Sequence, residues 1–142
     1  PDKAFFGKKD YQQLMVIKSL NEQFNLGVEV IGCSIIREDS GLAMSSRNEL
    51  LGSENRQIAA TLFAELMGIS HRLQNTPLED SLAAARKTIE TQNGITLEYL
   101  EAADAATMGE PKPGHPIVVC LAAFIGGIRL IDNVVLPFTK KL

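Results

Sequence analysis

The chain has 142 residues, enough for one compact domain or for one small domain with a piece of another. Hydrophobic residues make up 45% and charged residues 22%, the composition of an ordinary soluble globular protein. A net charge of −3 and an isoelectric point near 5.4 exclude a surface built for nucleic acid, so any bound anion has to be held by a local cluster of donors.

The longest apolar run, Ile117 to Ile128, is too short to span a bilayer and carries Gly126-Gly127. No secretory leader is recognised. Cys33 and Cys120 both sit in apolar runs, VIGCSII and IVVCLAAFI. They are expected as buried, reduced thiols of a cytoplasmic protein rather than as a disulfide. No cysteine or histidine cluster has zinc-ligand spacing. The chain opens on Pro1-Asp2-Lys3, without an initiator Met and directly in what reads as a strand, and is expected to be a fragment or a processed piece.

In chain order, Ala4 to Phe6 reads as a short buried strand ending at Gly7. A helix follows, with Asp10 as its cap, Gln13 at the capping-box position, and Leu14, Ile17 and Leu20 as its inward stripe. Asn25 to Gly27 ends it, with Gly27 as the left-handed residue past the C-cap. Val28 to Ile31 is the next strand. Strand, loop, helix and strand in about thirty residues form a βαβ unit, which favours ligand binding where strand gives way to helix. One such unit cannot bury both faces of a parallel sheet, so the rest of the sheet is expected elsewhere.

Ile35, Ile36 and Arg37 then lead into the turn Asp39-Ser40-Gly41, and Leu42 to Asn48 is a short polar-tipped segment. Ser53 is expected to cap a long helix carrying Ile58, Leu62, Phe63, Leu66 and Leu73, whose stripe reads as core. Thr76-Pro77-Leu78-Glu79 has the form of a helix start, with Thr76 as cap and Pro77 at the first helical position, and that helix is expected to run to Asn93-Gly94. Leu97, Tyr99, Glu101 and Ala103 mark a strand, and Pro111 to Pro116 a loop. Ile117–Ile125, Gly126-Gly127 and Ile128–Leu136 read as a β-hairpin with a primed turn. Arg129 and Asp132 on its last strand read as surface charges, paired with each other or a neighbour for at most about 1 kcal/mol. Residues from about 49 onward thus form two helices on a small antiparallel sheet.

Two segments carry chemistry. In Gly7-Lys8-Lys9-Asp10, a glycine ends a strand and lets backbone approach a ligand, and a helix N-terminus with free N–H groups follows. A lysine there meets phosphate, and an aspartate accepts from sugar hydroxyls. Taken alone, the segment reads more readily as a surface loop with a capping Asp10. Met44-Ser45-Ser46-Arg47-Asn48 gathers two hydroxyls and a guanidinium, suited to phosphate oxygens. Alone, it too reads as turn chemistry with an exposed arginine.

Together, GKKDYQQL, then IIREDSGLAMSSRN, then LIDN at Leu130 to Asn133, resemble the pantothenate synthetase (pantoate–β-alanine ligase) family. The resemblance covers essentially the whole chain and corresponds to the C-terminal part of the family's sequence. It implies an α/β fragment: residues 1–48 as the end of a Rossmann-like nucleotidyl transferase domain with its phosphate loop, and residues 49–142 as a small α+β domain. MSSRN occupies the place of the KMSKS loop of the wider HxGH class. The implied activity is ligation of pantoate to β-alanine through pantoyl adenylate, serving pantothenate and coenzyme A biosynthesis. ATP is consumed with magnesium, whose ligands are expected outside this chain.

The resemblance also implies roles. Lys9 meets phosphates and Asp10 the ribose. Gly7 is a further nucleotide residue, and Ile36 meets adenine through its backbone. Met44, Ser45, Ser46 and Arg47 form the loop that grips the phosphates, and Gln13 binds pantoate. Lys9, Ser45, Ser46 and Arg47 are the candidate catalytic residues. The expected partners are small molecules, with no nucleic acid, no membrane, and a homo-oligomer allowed. Three departures stand out. Lys8 replaces the family's usual Glu; Ser40 replaces the Asp of the Asp-Gly turn, with an expected loosening; and HxGH is absent, so the isolated chain is expected to be catalytically incomplete. His71 and His115 read as surface residues without a role. The alternatives are a stand-alone nucleotide-binding module or a structural interaction domain.

Overall fold

The computed structural model describes residues 1–139, so the last three residues of the expected 49–142 unit lie outside the described residues. The elements are β1 (Lys3–Gly7), α1 (Tyr11–Gln23), β2 (Glu29–Cys33), a 3-10 turn (Ser46–Leu50), α2 (Ser53–Arg72), α3 (Leu78–Glu90), β3 (Ile95–Asp104), β4 (Ile117–Ile125) and β5 (Ile128–Leu136). This is an α/β chain with two sheets: β1 and β2 form a parallel pair, and β3-β4-β5 an antiparallel meander.

The β1-α1-β2 unit has the expected topology, with Lys3 opposite Glu29 and Gly7 opposite Cys33. Its burial corrects the sequence reading. Phe5, expected in a buried strand, is 65% exposed, and Leu20, expected in the inward stripe, is also exposed. Of the whole unit only Leu14 is fully buried, because a two-stranded sheet lacks the neighbours that would cover both faces. Cys33 is exposed rather than buried, whereas Cys120 is buried as expected, and both are free thiols. The end of α1 also differs. Asn25, at φ 47°, takes the left-handed position; the Leu26 N–H donates to the Asn21 carbonyl at 3.0 Å and the Asn25 N–H to that of Glu22 at 3.1 Å. That is a Schellman motif two residues earlier than a Gly27 stop would give.

The core lies in the rest of the chain. Leu62, Leu66 and Ile69 of α2 and Leu82, Ala85 and Ile89 of α3 pack on Leu100, Val119, Leu121 and Ile125 of the meander. The other face of β4 is buried too, at Val118, Cys120 and Ala122, which explains why the strand reads as an unbroken apolar run. Both helix starts fall one residue away from expectation. Gly52, not Ser53, is the N-cap of α2, and Pro77, not Thr76, that of α3; neither has a side-chain cap. The second helix ends at Glu90, short of Asn93-Gly94. Strand β3 has a register shift between Leu97 and Tyr99, which changes which side chains face the helices. Leu97 packs on the core before the shift and Leu100 after it, so Tyr99, Glu101 and Ala103 turn to the other face. The hairpin turn is as expected, with Gly126 at φ 56° and Gly127 at φ 78°, the primed geometry that glycine adopts without strain. Among the described residues no helix is long and apolar enough to cross a membrane.

Candidate functional site

The segment Gly7-Lys8-Lys9-Asp10 links β1 to α1 over the C-terminal end of the parallel pair. The Lys8 N–H continues the ladder by donating to the Cys33 carbonyl at 2.8 Å, and the Lys8 stem crosses the face of Gly32. Asp10 caps α1 as expected, its Oδ1 accepting from the Gln13 N–H at 3.3 Å. The Gln13 side chain is exposed in the first turn. The free end of α1 therefore presents N–H groups and the positive end of its dipole beside Lys9.

The second segment is a short antiparallel ribbon. Arg37 bridges Ala43, and the Met44 N–H donates to the Ile36 carbonyl at 2.9 Å. Its turn is closed despite Ser40. The Gly41 N–H donates to the Glu38 carbonyl at 2.8 Å, and the Ser40 hydroxyl accepts from the Leu42 N–H at 3.4 Å. Gly41 is at φ 87°, and a β-carbon there would meet the Phe63 ring at 2.6 Å, so only glycine fits the turn. Ile36 and Met44 are exposed. Ser45 caps the 3-10 turn, its hydroxyl accepting from the Arg47 N–H at 3.2 Å. Ser46 is exposed and makes no side-chain hydrogen bond among the described residues.

Beneath the ribbon a polar network fixes its shape. Buried Asn48 donates through Nδ2 to Glu38 at 3.0 Å and to the Ala43 carbonyl at 3.1 Å. Arg56 of α2 grips the same carboxylate through Nε at 3.1 Å and Nη2 at 2.8 Å. Those bonds, the one from Arg56 first, hold the Glu38 carboxyl below the usual carboxylate range.

The two segments meet on β5. Asn133 donates from Nδ2 to the carbonyls of both Lys8 (2.9 Å) and Lys9 (2.8 Å). Its neighbour Asp132 accepts both ends of the Arg37 guanidinium, at 2.7 and 2.9 Å. Arg37 also donates to the carbonyls of Gly41 and Asn133 and lies over the Phe63 ring at 3.7 Å from its centroid. Asp132 is only 6% exposed, so it is a buried ion-pair partner and not the surface charge expected. Arg129 pairs instead with Glu98, at 2.6 Å. A third tie runs from the Tyr11 hydroxyl to the Ala105 carbonyl, at 2.8 Å. Of the two histidines, His71 is exposed, and His115 lies 3.3 Å from Asp104.

Lys9 sits where these elements converge. Burial is the main cause holding its ammonium below the usual lysine value; Asp132 and Asp10 oppose that, while Arg47 and Arg37 add to it. The ammonium has no hydrogen-bond or ion-pair partner among the described residues. The Arg47 guanidinium is exposed and makes one long bond, at 3.4 Å, to the Arg129 carbonyl. Lys9, Arg47 and Asp10 thus share one electrostatic neighbourhood, with Ser45 positioned by the same turn as Arg47. Gln13 stands a turn further along α1. The supporting residues Arg37, Asp132, Asn133, Glu38, Asn48 and Arg56 carry no local signature. The resembling strings contain five of them, Arg37, Glu38 and Asn48 in IIREDSGLAMSSRN and Asp132 and Asn133 in LIDN, without showing their contacts.

The chain spans about half the length of the curated relatives it matches. It is 42% identical over 134 residues to the pantothenate synthetase of Paracoccus denitrificans (strain Pd 1222), covering 94% of this chain and 48% of that protein. Against the pantothenate synthetase of Christiangramia forsetii it is 42% identical over 139 residues, 96% of this chain and 49% of the relative. The crystal structure of pantothenate synthetase from Thermus thermophilus superposes with a TM-score of 0.84 at 31% identity, over 94% of this chain and 49% of that one. The pantoate-beta-alanine ligase of Francisella tularensis, crystallised with beta-gamma ATP and beta-alanine, superposes with a TM-score of 0.65 at 31% identity, over 94% and 43%. Since the profile of the Pantoate-beta-alanine ligase family also matches residues 1–135, the chain belongs to that family.

Proposed function

We propose that this chain is the C-terminal part of an ATP-dependent ligase of the cytoplasm that joins pantoate to β-alanine. Residues 1–48 close a Rossmann-like nucleotide domain, and residues 49–142 form the small α+β domain that backs its phosphate loop. In the whole enzyme a pantoate carboxylate oxygen attacks the α-phosphorus of ATP, the bond to the β-phosphate breaks, and pyrophosphate leaves. The amine of β-alanine then attacks the acyl carbon of pantoyl adenylate, an amide bond forms, a proton is released and AMP departs.

One observation carries the reading: Lys9 and Arg47, from separate segments, converge beside the N-terminus of α1, and the half-buried Lys9 ammonium is without an anionic partner in hydrogen-bond reach. Two cations held together in a partly dry place repel each other, and a bound triphosphate relieves that repulsion. In this reading Lys9 and Arg47 bind phosphate oxygens whose charge rises as pyrophosphate separates, with the Ser45 and Ser46 hydroxyls adding directional bonds. Gly7 leaves room for backbone to approach the nucleotide, nothing lying within 4 Å of where its β-carbon would stand. Asp10 accepts from the ribose, the Ile36 backbone meets adenine, Met44 belongs to the loop that grips the phosphates, and Gln13 hydrogen-bonds pantoate. Among the described residues no group of three or more His, Cys, Asp or Glu could hold a metal by itself, so magnesium would come with the phosphates of ATP. No step is assigned to it on this chain.

The test is pantoate-dependent exchange of labelled pyrophosphate into ATP, by a full-length enzyme containing these 142 residues. Lys9→Ala and Arg47→Ala should each add on the order of 3 kcal/mol to the barrier. Each should cost about 1 kcal/mol of stability or less, read from denaturant midpoints, because both residues sit in polar loops. The isolated chain should show no exchange, since a phosphate grip alone cannot align a carboxylate for attack. Normal exchange in the double variant would overturn the assigned roles. ATP binding without any pantoate-dependent exchange would favour a nucleotide-binding module.

A further inference from the structure

Resting on that functional reading, we propose that Asn133 and Asp132 are positioning residues for adenylate formation: the dipeptide fixes the Lys9 loop and the ribbon that leads into the Arg47 turn at one spacing, so that both cations meet the same phosphates. Neither side chain is turned to the open site. Asn133 is 4% exposed and Asp132 6%. Each instead holds one of the two segments. The amide of Asn133 faces two carbonyl oxygens, which only accept, so its NH2 group must be the face turned to Lys8 and Lys9. These bonds orient the two peptides that set where the Lys9 side chain leaves the backbone. Asp132 holds Arg37, and Arg37 holds the ribbon through the Gly41 carbonyl.

The two halves of the clamp are themselves joined. The Asn133 N–H donates to Asp132 Oδ1 at 2.7 Å, and its carbonyl accepts from Arg37 at 3.3 Å. A shift of one segment is thereby transmitted to the other through a single strand. That strand is seated in the core through Leu130 and Leu136, a rigid reference that neither loop provides on its own. Little room is left at the junction, about 10 Å³ of space bounded by Lys9, Asp10, Tyr11, Tyr99, Cys120, Asp132 and their neighbours. Asp132 is also the strongest charge favouring the ammonium form of Lys9.

A merely structural role and a positioning role differ in how Asn133 couples to Lys9. The experiment is a double-variant cycle on pyrophosphate exchange in the full-length enzyme containing this chain, comparing wild type, Asn133→Ala, Lys9→Ala and the pair. Asn133→Ala should lower kcat by up to about 100-fold with KM for ATP changing far less, as expected for misplacement of about 1 Å. In the Lys9→Ala background the same substitution should have almost no further effect. Asn133→Ser, which keeps one donor, should recover part of the rate, and it serves as the test variant if the alanine form does not fold. An undiminished loss in the Lys9→Ala background, or a loss that only tracks the folded fraction, overturns the positioning role while leaving the functional reading intact. Absence of pantoate-dependent exchange in the wild-type enzyme overturns that reading and this proposal with it.

Discussion

Arg37 lies on the Phe63 ring and gives its guanidinium to Asp132 from two nitrogens, with side-chain exposures of 19% and 6% for the pair. Burial makes the pair costly to break, because the partner left behind keeps its charge without water or a counter-ion. Arg37→Ala should therefore destabilise the fold by about 3 kcal/mol, seen as a lower urea midpoint with an unchanged slope. Arg37→Lys should rescue little, since an ammonium cannot make the two-pronged contact or stack on the ring. A midpoint shift under about 1 kcal/mol would mean that the pair is solvated like an ordinary surface bridge. The residue types were legible in the sequence, but the pairing was not. The partners stand 95 residues apart, and a bidentate contact leaves no periodic trace. The two cysteines teach the same lesson. Both lie in apolar runs, yet Cys33 ends an edge strand and is exposed, while burial pushes the Cys120 thiol up to about 12. A thiol reagent at neutral pH should label Cys33 quickly and reach Cys120 only on unfolding. Equal labelling rates would contradict this.

At the scale of elements, type and order were readable and facing was not. The antiparallel hairpin announced itself through two long apolar strands around Gly126-Gly127, and α1 through its Asp10 cap. Strand β3 was harder, because the irregularity between Leu97 and Tyr99 breaks the period-two rule by which faces are assigned. The nucleotide motifs were legible as strings, but the clamp that joins them belongs to β5, an element with no polar signal beyond Arg129 and Asp132-Asn133. Helix starts slipped by one residue, since Ser53 and Thr76 are good caps in isolation while the backbone turns at Gly52 and Pro77. Stability follows the facing. The main cluster draws on α2, α3 and the meander, whereas β1, α1 and β2 contribute only Leu14 as a fully buried side chain. Amide hydrogen exchange should be slowest in β4 and α2 and markedly faster across β1 and β2, which open at lower free energy. Slowest protection between Gly7 and Ile31 would show that the ties from Asn133 to Lys8 and Lys9 and from Tyr11 to Ala105 stabilise the first unit as firmly as a core does.

For the whole molecule the decisive feature is an uneven surface. Around the parallel pair and α1, Phe5, Phe24 and Leu26 are exposed, and Ile36 stands beyond them at 70% exposure. Another side of the same unit forms an apolar recess of about 270 Å³ lined by Ala4, Phe6, Ile17, Leu20, Leu26 and Val30. Scattered apolar side chains are normal on protein surfaces, but a cluster of large ones on a two-stranded sheet with open edges invites pairing. Net charge opposes this weakly, because −3 spread over 142 residues gives little repulsion at physiological ionic strength. The meander is a poorer candidate for self-contact, since both faces of its central strand are covered except at Phe124. The 142-residue chain by itself should therefore self-associate through the β1-α1-β2 unit, with an average mass in light scattering that rises with concentration. Phe5→Lys should lower that association without changing the denaturant midpoint, because Phe5 stabilises nothing in the core. A concentration-independent monomer mass would contradict the prediction. Association undiminished by Phe5→Lys would move the contact to another surface.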